Sequence, residues 1–116
     1  MPKYMMILHD SMPDLAKFAP AELQKVVMKY KSWSDKLGQK GKLSGGEKLT
    51  DEGGKHLTAK NGKMVVKDGP YAEAKEVVGG YFLIEAKDYA EAAKLCEDCP
   101  HLELNGRIEL RQVDKM

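Results

Sequence analysis

Two short segments of the chain carry apolar side chains at consecutive positions, and they constrain the fold more than any other feature. They are residues 4–8 (YMMIL) and residues 81–86 (YFLIEA). Successive side chains of a strand point to opposite faces of its sheet, so a strand built from either segment is apolar on both faces. An antiparallel sheet with one face in water would alternate apolar and polar residues instead. Both faces of the predicted sheet therefore need to be covered.

Two helices are predicted, one on each side of the middle of the chain. Residues 20–37 repeat apolar side chains at spacings of three and four, which makes one stripe of a helix apolar. Pro20 suits the first helical position, because the N–H that proline lacks has no partner there. Asp88 and Glu91 form a D-x-x-E start signal for a second helix, and Pro100 is predicted to close it.

The rest of the regular structure is predicted to be strand. The pair Asn61-Gly62 accepts the positive φ angles of a tight hairpin turn and joins two of these strands. In the last strand, Ile108 and Leu110 point to one face and charged residues to the other. The remaining predicted strands are residues 43–50, 56–59, 63–67 and 107–113.

This order of elements predicts the fold class. Strand, helix, strand with hairpin, strand, helix and strand describe an α+β protein with a ferredoxin-like, split β-α-β layout. Its antiparallel sheet would carry two helices on one face. The 116 residues suit a single domain, residues 1–116. Because the second sheet face is also apolar, we expect a second copy of the chain to cover it, which gives a homodimer packed sheet to sheet.

Charge and composition exclude several classes of partner. Lys and Arg number 19 against 18 Asp and Glu, for a formal net charge of +1. No field of one sign draws the chain to nucleic acid or anionic lipid, so we expect no direct nucleic-acid partner and no membrane. No apolar run is long enough to cross a bilayer or to resemble a signal peptide. With only two cysteines, the sequence predicts a cytoplasmic protein.

A family likeness is carried by several motifs together. DGPY at residues 68–71, GGY at residues 79–81 and GRIELR at residues 106–111 closely resemble the signature of the DGPF branch of the YCII-related proteins. The likeness extends over nearly the whole chain. It implies a dimeric α+β barrel, with a biochemical role that is unsettled across the family. By gene association alone, it also implies regulation linked to sigma factors.

One property of the family does not transfer. The resemblance implies, for the shorter YCII branch, an acid–base dyad of a His on the first helix and an Asp near the end of the second. The helix predicted at residues 20–37 contains no His, and Cys99 stands directly before Pro100, where that Asp is expected. The dyad is therefore not carried over to this chain.

Asp68 and His9 are the candidate catalytic residues. Gly69 and Pro70 would shape a loop that projects Asp68 into a cleft against the dimer partner, where desolvation raises a carboxyl pKa into a useful acid–base range. The alternative is that Asp68 holds the turn by accepting backbone N–H groups. His9, predicted to end the first strand, would lie at the mouth of the barrel or would merely be hydrogen-bonded.

The candidate ligand-binding residues surround these two. The charged members have a plainer alternative, a solvated segment or ordinary cross-strand ion pairs. The set comprises Gly69, Pro70, Tyr71, Glu73, Lys75, Arg107 and Arg111.

No metal and no cofactor are expected. Cys96-x-x-Cys99 with His101 offers three metal ligands where structural zinc takes four, and the pair lies at a helix C-terminus, whose dipole opposes a thiolate. The cysteines are predicted to be buried thiols. Gly79 and Gly80 are predicted to precede the apolar strand and to allow close backbone approach.

Two functions stay open from the sequence. The first is a binding or regulatory module that captures a small molecule or a protein partner. The alternative is a small-molecule enzyme of the isomerase or lyase type, which transfers protons with Asp68 and His9 in the dimer cleft. The missing dyad favours the first slightly.

Overall fold

A computed structural model describes residues 1–11, 19–50, 53–69, 76–104 and 106–115. Its elements, in chain order, are β1 (Lys3–Ser11), α1 (Pro20–Gln39), β2 (Leu43–Lys48), β3 (Lys55–Lys60), β4 (Lys63–Asp68), β5 (Glu76–Glu85), α2 (Tyr89–Cys96), α3 (Pro100–Glu103) and β6 (Arg107–Gln112). Among the described helices none is long and apolar enough to span a membrane.

The main sheet has four strands in the order β2-β5-β1-β6, and all neighbours are antiparallel. With the β3–β4 hairpin set aside, this is the strand order of a ferredoxin-like fold. The two doubly apolar segments are β1 and the second half of β5, and they form the centre of the sheet. The predicted α+β, ferredoxin-like class is confirmed.

The core lies between the helices and one face of this sheet. On that face Tyr4, Met6 and Ile84 are nearly inaccessible to solvent, and burial of each such side chain stabilises the fold by about 1.5–3 kcal/mol. Trp33 of α1 packs edge-on against Phe82 with ring centroids 5.1 Å apart. The buried core comprises Tyr4, Met6, Leu8, Trp33, Leu37, Ile84, Ala86, Ala92, Cys96 and Cys99.

The opposite face of the sheet carries the other half of the apolar pattern. Met5 lies opposite Leu83 and Ile7 lies opposite Tyr81, and all four side chains are partly exposed. In the described part of the chain, the buried residues of α1 and α2 belong to the core on the first face. The predicted apolar second face is therefore present.

Both long helices begin where the sequence predicts. Pro20 opens α1, and the Asp88 side chain accepts a hydrogen bond of 2.8 Å from the backbone N–H of Glu91 at the start of α2. Pro100 does not close α2 as predicted: α2 ends at Cys96, and Pro100 opens α3 instead. Proline suits the first turn of a helix as well as it stops one, so the motif alone does not decide between them.

Two strand boundaries also differ from the prediction. β1 runs past His9 to Ser11, and β5 begins at Glu76, so Gly79 and Gly80 lie inside a strand. The register passes from Leu8 opposite Gly80 to His9 opposite Val78, and this irregularity leaves Gly79 as an extra residue. The pairing of β1 with β5 therefore continues on both sides of the bulge, although the sequence predicts that Gly79 and Gly80 precede the strand.

The hairpin predicted around Asn61-Gly62 is confirmed. Asn61 and Gly62 have φ angles of 53° and 78°, and they join β3 to β4 in a separate two-stranded sheet. Leu57, Met64 and Val66 of this hairpin are all more than half exposed.

Candidate functional site

A cavity of about 490 Å³ lies between α1 and the main sheet. The N-terminal half of the α1 stripe does not pack tightly on the sheet: Leu23 and Val27 are 40% and 56% exposed, whereas Trp33 and Leu37 further along are buried. The size and largely apolar lining are typical of small-ligand sites. The apolar wall consists of Leu8, Leu23, Val26, Val27, Phe82 and Leu104.

His101 forms part of this wall and is only 2% exposed. Its Nε2 lies 2.9 Å from the backbone carbonyl oxygen of His9, and a carbonyl can only accept, so Nε2 carries the hydrogen. Nδ1 of the neutral ring is then an acceptor, and the Tyr30 hydroxyl, 2.8 Å away, donates to it. The His9 carbonyl therefore fixes the tautomer of His101 whose Nδ1 accepts from Tyr30.

Asp10 completes the polar group. Its Oδ1 lies 3.7 Å from Nδ1 of His101, and its side chain, 26% exposed, also lines the cavity. Burial raises the pKa of Tyr30 above its usual range, which keeps its hydroxyl protonated. A carboxylate acceptor and a protonated phenol backed by an imidazole thus meet at one wall.

Two glycines make room for these side chains. A Cβ at Gly106 would lie 2.5 Å from Cδ2 and Cε1 of His101 and closer still to Nε2. A Cβ at Gly79, the bulge residue, would overlap Oδ2 of Asp10. The close backbone approach predicted for Gly79 is therefore present, and its neighbour is the Asp10 carboxylate.

The predicted site residues His9, Arg107 and Arg111 lie together on the other sheet face. Nε2 of His9 is 3.0 Å from Oε1 of Glu109, and Nη1 of Arg111 is 3.4 Å from Oε2 of the same carboxylate. These hydrogen bonds, the one from His9 first, lower the pKa of Glu109. His9 thus contacts the wall of the cavity through its backbone carbonyl, which accepts from His101.

Arg107 forms a separate cross-strand pair on this second face. Its Nη2 and Nε donate to Oε1 of Glu76 at 3.0 and 3.1 Å. These bonds lower the pKa of Glu76 and raise that of Arg107. The arrangement is the ordinary ion pairing that the sequence left as the alternative.

Asp68 lies at the end of β4, on the hairpin sheet rather than on the sheet that holds His9. Its side chain is 82% exposed and pairs with Lys55 beside an open depression that Gly69 also lines. The backbone N–H of Gly69 donates to the Gly54 carbonyl at 2.8 Å. The joint action of Asp68 and His9 stays a prediction. Pro70, Tyr71, Glu73 and Lys75 lie outside the described residues.

The predicted buried thiols are confirmed. Cys96 and Cys99 are free and buried, and burial raises the pKa of Cys96 to about 12 and that of Cys99 to about 11. Within the described ranges no cluster of His, Cys, Asp or Glu is arranged to hold a metal.

No motif in the sequence marks Asp10, Tyr30 and His101 as a group. Tyr30 falls in the apolar stripe predicted for residues 20–37, and the position of His101 beside Cys96 and Cys99 suggests only a metal ligand. A tyrosine in the apolar stripe and a histidine beside two buried cysteines are the available signals, since both place a polar atom where it needs a buried partner.

The fold defines a ferredoxin-like α+β protein, with a largely apolar cavity between its first helix and its sheet. The chain belongs to the YCII-related domain family, whose model matches residues 3–116. A solved structure of 5-chloro-2-hydroxyhydroquinone dehydrochlorinase from Burkholderia phenoliruptrix, in complex with 2,5-dihydroxybenzoquinone, is similar with 17% identity and a TM-score of 0.47. The match covers 98% of this chain and 94% of that one. A search of curated proteins gave no match.

Proposed function

We propose that the protein binds a small, largely apolar molecule in the cavity between α1 and the sheet, and transfers a proton to or from it. The observation that carries this proposal is the meeting of Asp10, Tyr30 and His101 at one wall of the cavity. The reaction class is the isomerase or lyase type that the sequence left open as the alternative, with a different set of residues.

The three side chains suit different steps of a proton transfer. The Asp10 carboxylate is the acceptor for a proton from the bound molecule. Tyr30, protonated at rest and held by His101 Nδ1, donates its proton at a second position, and the phenolate is then reprotonated from solvent as Asp10 releases to solvent the proton that it took. The His9 carbonyl holds the imidazole in place throughout.

Proton exchange with solvent tests this proposal without knowledge of the natural substrate. Cyclohexanone, a neutral carbonyl compound with acidic α-hydrogens, is incubated in D₂O, and the loss of its α-proton signal is followed by NMR. We expect the wild type to accelerate exchange, and Asp10→Asn, Tyr30→Phe and His101→Asn to reduce the acceleration by about 10²-fold or more. His9→Asn, which keeps the carbonyl, is the control and should leave exchange unchanged. Exchange at the buffer rate in the wild type would contradict the proposal.

A non-catalytic binding or regulatory module is the second candidate. The observation that favours it is the apolar face of the β3–β4 hairpin, where Leu57, Met64 and Val66 are exposed side by side. Exposed apolar patches of this kind mark contact sites for other proteins. For such a module, ligands would bind in the cavity, but the wild type would not accelerate exchange.

A homodimer packed through the second sheet face is part of the proposal. The half-exposed apolar side chains around Ile7 and Tyr81 support it, because a partner copy would bury them. Sedimentation velocity should show a dimer for the wild type and a monomer for Ile7→Lys, whereas Met64→Lys on the hairpin should remain dimeric. A stable monomer of the wild type at micromolar concentration would contradict this arrangement. A cytoplasmic location is likewise proposed.

A further inference from the structure

Two hydroxyl groups on the α1 side of the cavity have their hydrogens committed inside the protein. Tyr30 donates its single hydroxyl hydrogen to Nδ1 of His101 at 2.8 Å, because the ring carries its own hydrogen on Nε2. Ser34, which also lines the cavity, donates its hydroxyl hydrogen to the backbone carbonyl of Lys31 at 2.9 Å. Each oxygen keeps lone pairs for another partner. Both hydroxyls are therefore acceptors toward a bound molecule.

The arrangement of His101 holds the Tyr30 hydrogen in place at rest. If the hydroxyl turned its hydrogen toward a ligand, Nδ1 would be left as a buried acceptor without a donor, and at 2% exposure water cannot replace it. The other tautomer of the ring is disfavoured as well, because a bare Nε2 would then face the His9 carbonyl at 2.9 Å. Both ring nitrogens thus keep the hydrogen of Tyr30 away from the cavity.

Asp10 adds a further acceptor at the same wall. Its Oδ1 lies 3.7 Å from Nδ1 of His101, the atom that accepts from Tyr30. Carboxylate oxygens accept hydrogen bonds and donate none. Lys31 and Lys48 also line the cavity, but both are exposed residues, so the polarity of the inner wall is set around His101. There the described side chains of Tyr30 and Asp10 offer lone pairs to a ligand.

We propose that the ligand is an uncharged hydroxy compound with an apolar body, bound with its hydroxyl hydrogen at the oxygens of Tyr30 and Asp10. This inference rests on the proposed function and names the ligand class of the same cavity. An O–H group is complementary to this wall, whereas a carbonyl group would place another acceptor against it. The largely apolar lining, Phe82 and the α1 stripe included, suits an uncharged body, because burial of a charge there is costly.

The same polarity distinguishes the two tautomers of a carbonyl compound. A ketone has no hydrogen on its oxygen, whereas its enol has one. The inner wall is therefore complementary to the enol, which is the product of proton removal beside the carbonyl group. The substrate class for the proposed proton transfer is thus an enolisable carbonyl compound that the protein binds more tightly as its enol than as its ketone.

Cyclohexanol and cyclohexanone test this preference, because they share a six-membered carbon ring and differ in whether the oxygen carries a hydrogen. Their affinities for the wild type are measured by NMR titration. We expect cyclohexanol to bind about tenfold more tightly than cyclohexanone. Tyr30→Phe, which removes one acceptor, should weaken the binding of cyclohexanol by about threefold or more and leave the affinity for cyclohexanone unchanged.

Ser32→Ala is the matched control, because Ser32 is an exposed serine of α1 and is not among the described residues that line the cavity. It should keep the full preference for cyclohexanol. The nitrogen chemical shifts of His101 in the wild type, assigned by their absence from His101→Asn, give a second readout that needs no ligand. They should show a hydrogen on Nε2 and none on Nδ1.

Several outcomes would overturn the inference. They are equal affinity of the wild type for the two probes, binding of neither, tighter binding of cyclohexylammonium than of cyclohexanol, an equal loss of preference in Ser32→Ala, and a hydrogen on Nδ1 of His101. Failure of the proposed function is distinguishable from all of these. It would appear as an absence of cyclohexanone exchange in a protein that still prefers cyclohexanol.

Discussion

Gly106→Ala should displace the imidazole of His101 and so report directly on how the site is built. Gly106 does not have a positive φ angle, so the alanine backbone itself is not strained. The added Cβ would instead stand 2.5 Å from two ring carbons of His101, in a place where normal contacts exceed 3.4 Å. The ring has to move by about 1 Å, which is enough to break hydrogen bonds that depend on its position.

The magnitude follows from those hydrogen bonds. His101 donates to the His9 carbonyl at 2.9 Å and accepts from Tyr30 at 2.8 Å, and at 2% exposure water cannot replace either partner. Loss of two bonds at about 1 kcal/mol each, with buried groups left unsatisfied, costs about 2–4 kcal/mol. The lower entropy of the unfolded alanine variant offsets about 0.4–1 kcal/mol of this. The net loss of unfolding free energy is therefore about 1–3.5 kcal/mol.

Urea denaturation followed by fluorescence measures this loss, because Trp33 is the single tryptophan and is buried in the core. Gly38→Ala is the control: Gly38 lies in α1, nothing lies within 4 Å of an added Cβ, and the change should stabilise the protein by up to about 1 kcal/mol. The double variant Gly106→Ala/Tyr30→Phe should lose less unfolding free energy than the sum of the losses in the two single variants, because both substitutions remove the same hydrogen bond. A Gly106→Ala variant within about 0.5 kcal/mol of the wild type would refute the reasoning.

Three further predictions concern titration. Tyr30 should ionise later than exposed tyrosines in an ultraviolet titration, because burial raises its pKa, and the late step should be absent from Tyr30→Phe. Its raised pKa stabilises the folded state below the usual tyrosine pKa, so stability should fall as pH rises through the folded value. Cys96 and Cys99, whose pKa burial raises to about 12 and about 11, should react slowly with a thiol reagent at about pH 8 until the protein unfolds. The lowered pKa of Glu109 contributes stability above the ordinary carboxyl pKa, and this is lost as pH falls through the folded value; Glu109→Gln should weaken the acid dependence.

Local patterns in the sequence determined which elements form and in what order. Three of these patterns act within one turn of backbone, so the sequence shows them directly. They are Pro20 at the first position of α1, the Asp88 cap and the Asn61-Gly62 turn. The doubly apolar strands predicted the centre of the sheet for the same reason, since side-chain alternation is a property of a single strand. The family resemblance is confirmed as YCII-related, and the DGPF branch stays a prediction.

Which residues meet at the candidate site depends on the tertiary structure alone. Tyr30 and His101 are 71 positions apart, and their hydrogen bond exists only because α1 lies across the sheet at one particular offset from α3. Equally, only the bulge at Gly79 and the bare Cα of Gly106 leave space for Asp10 and the imidazole. Amphipathic periodicity says which stripe of a helix faces the sheet. It does not predict the distance between the helix and the sheet. That distance decides that one half of the α1 stripe packs in the core and the other half lines the cavity.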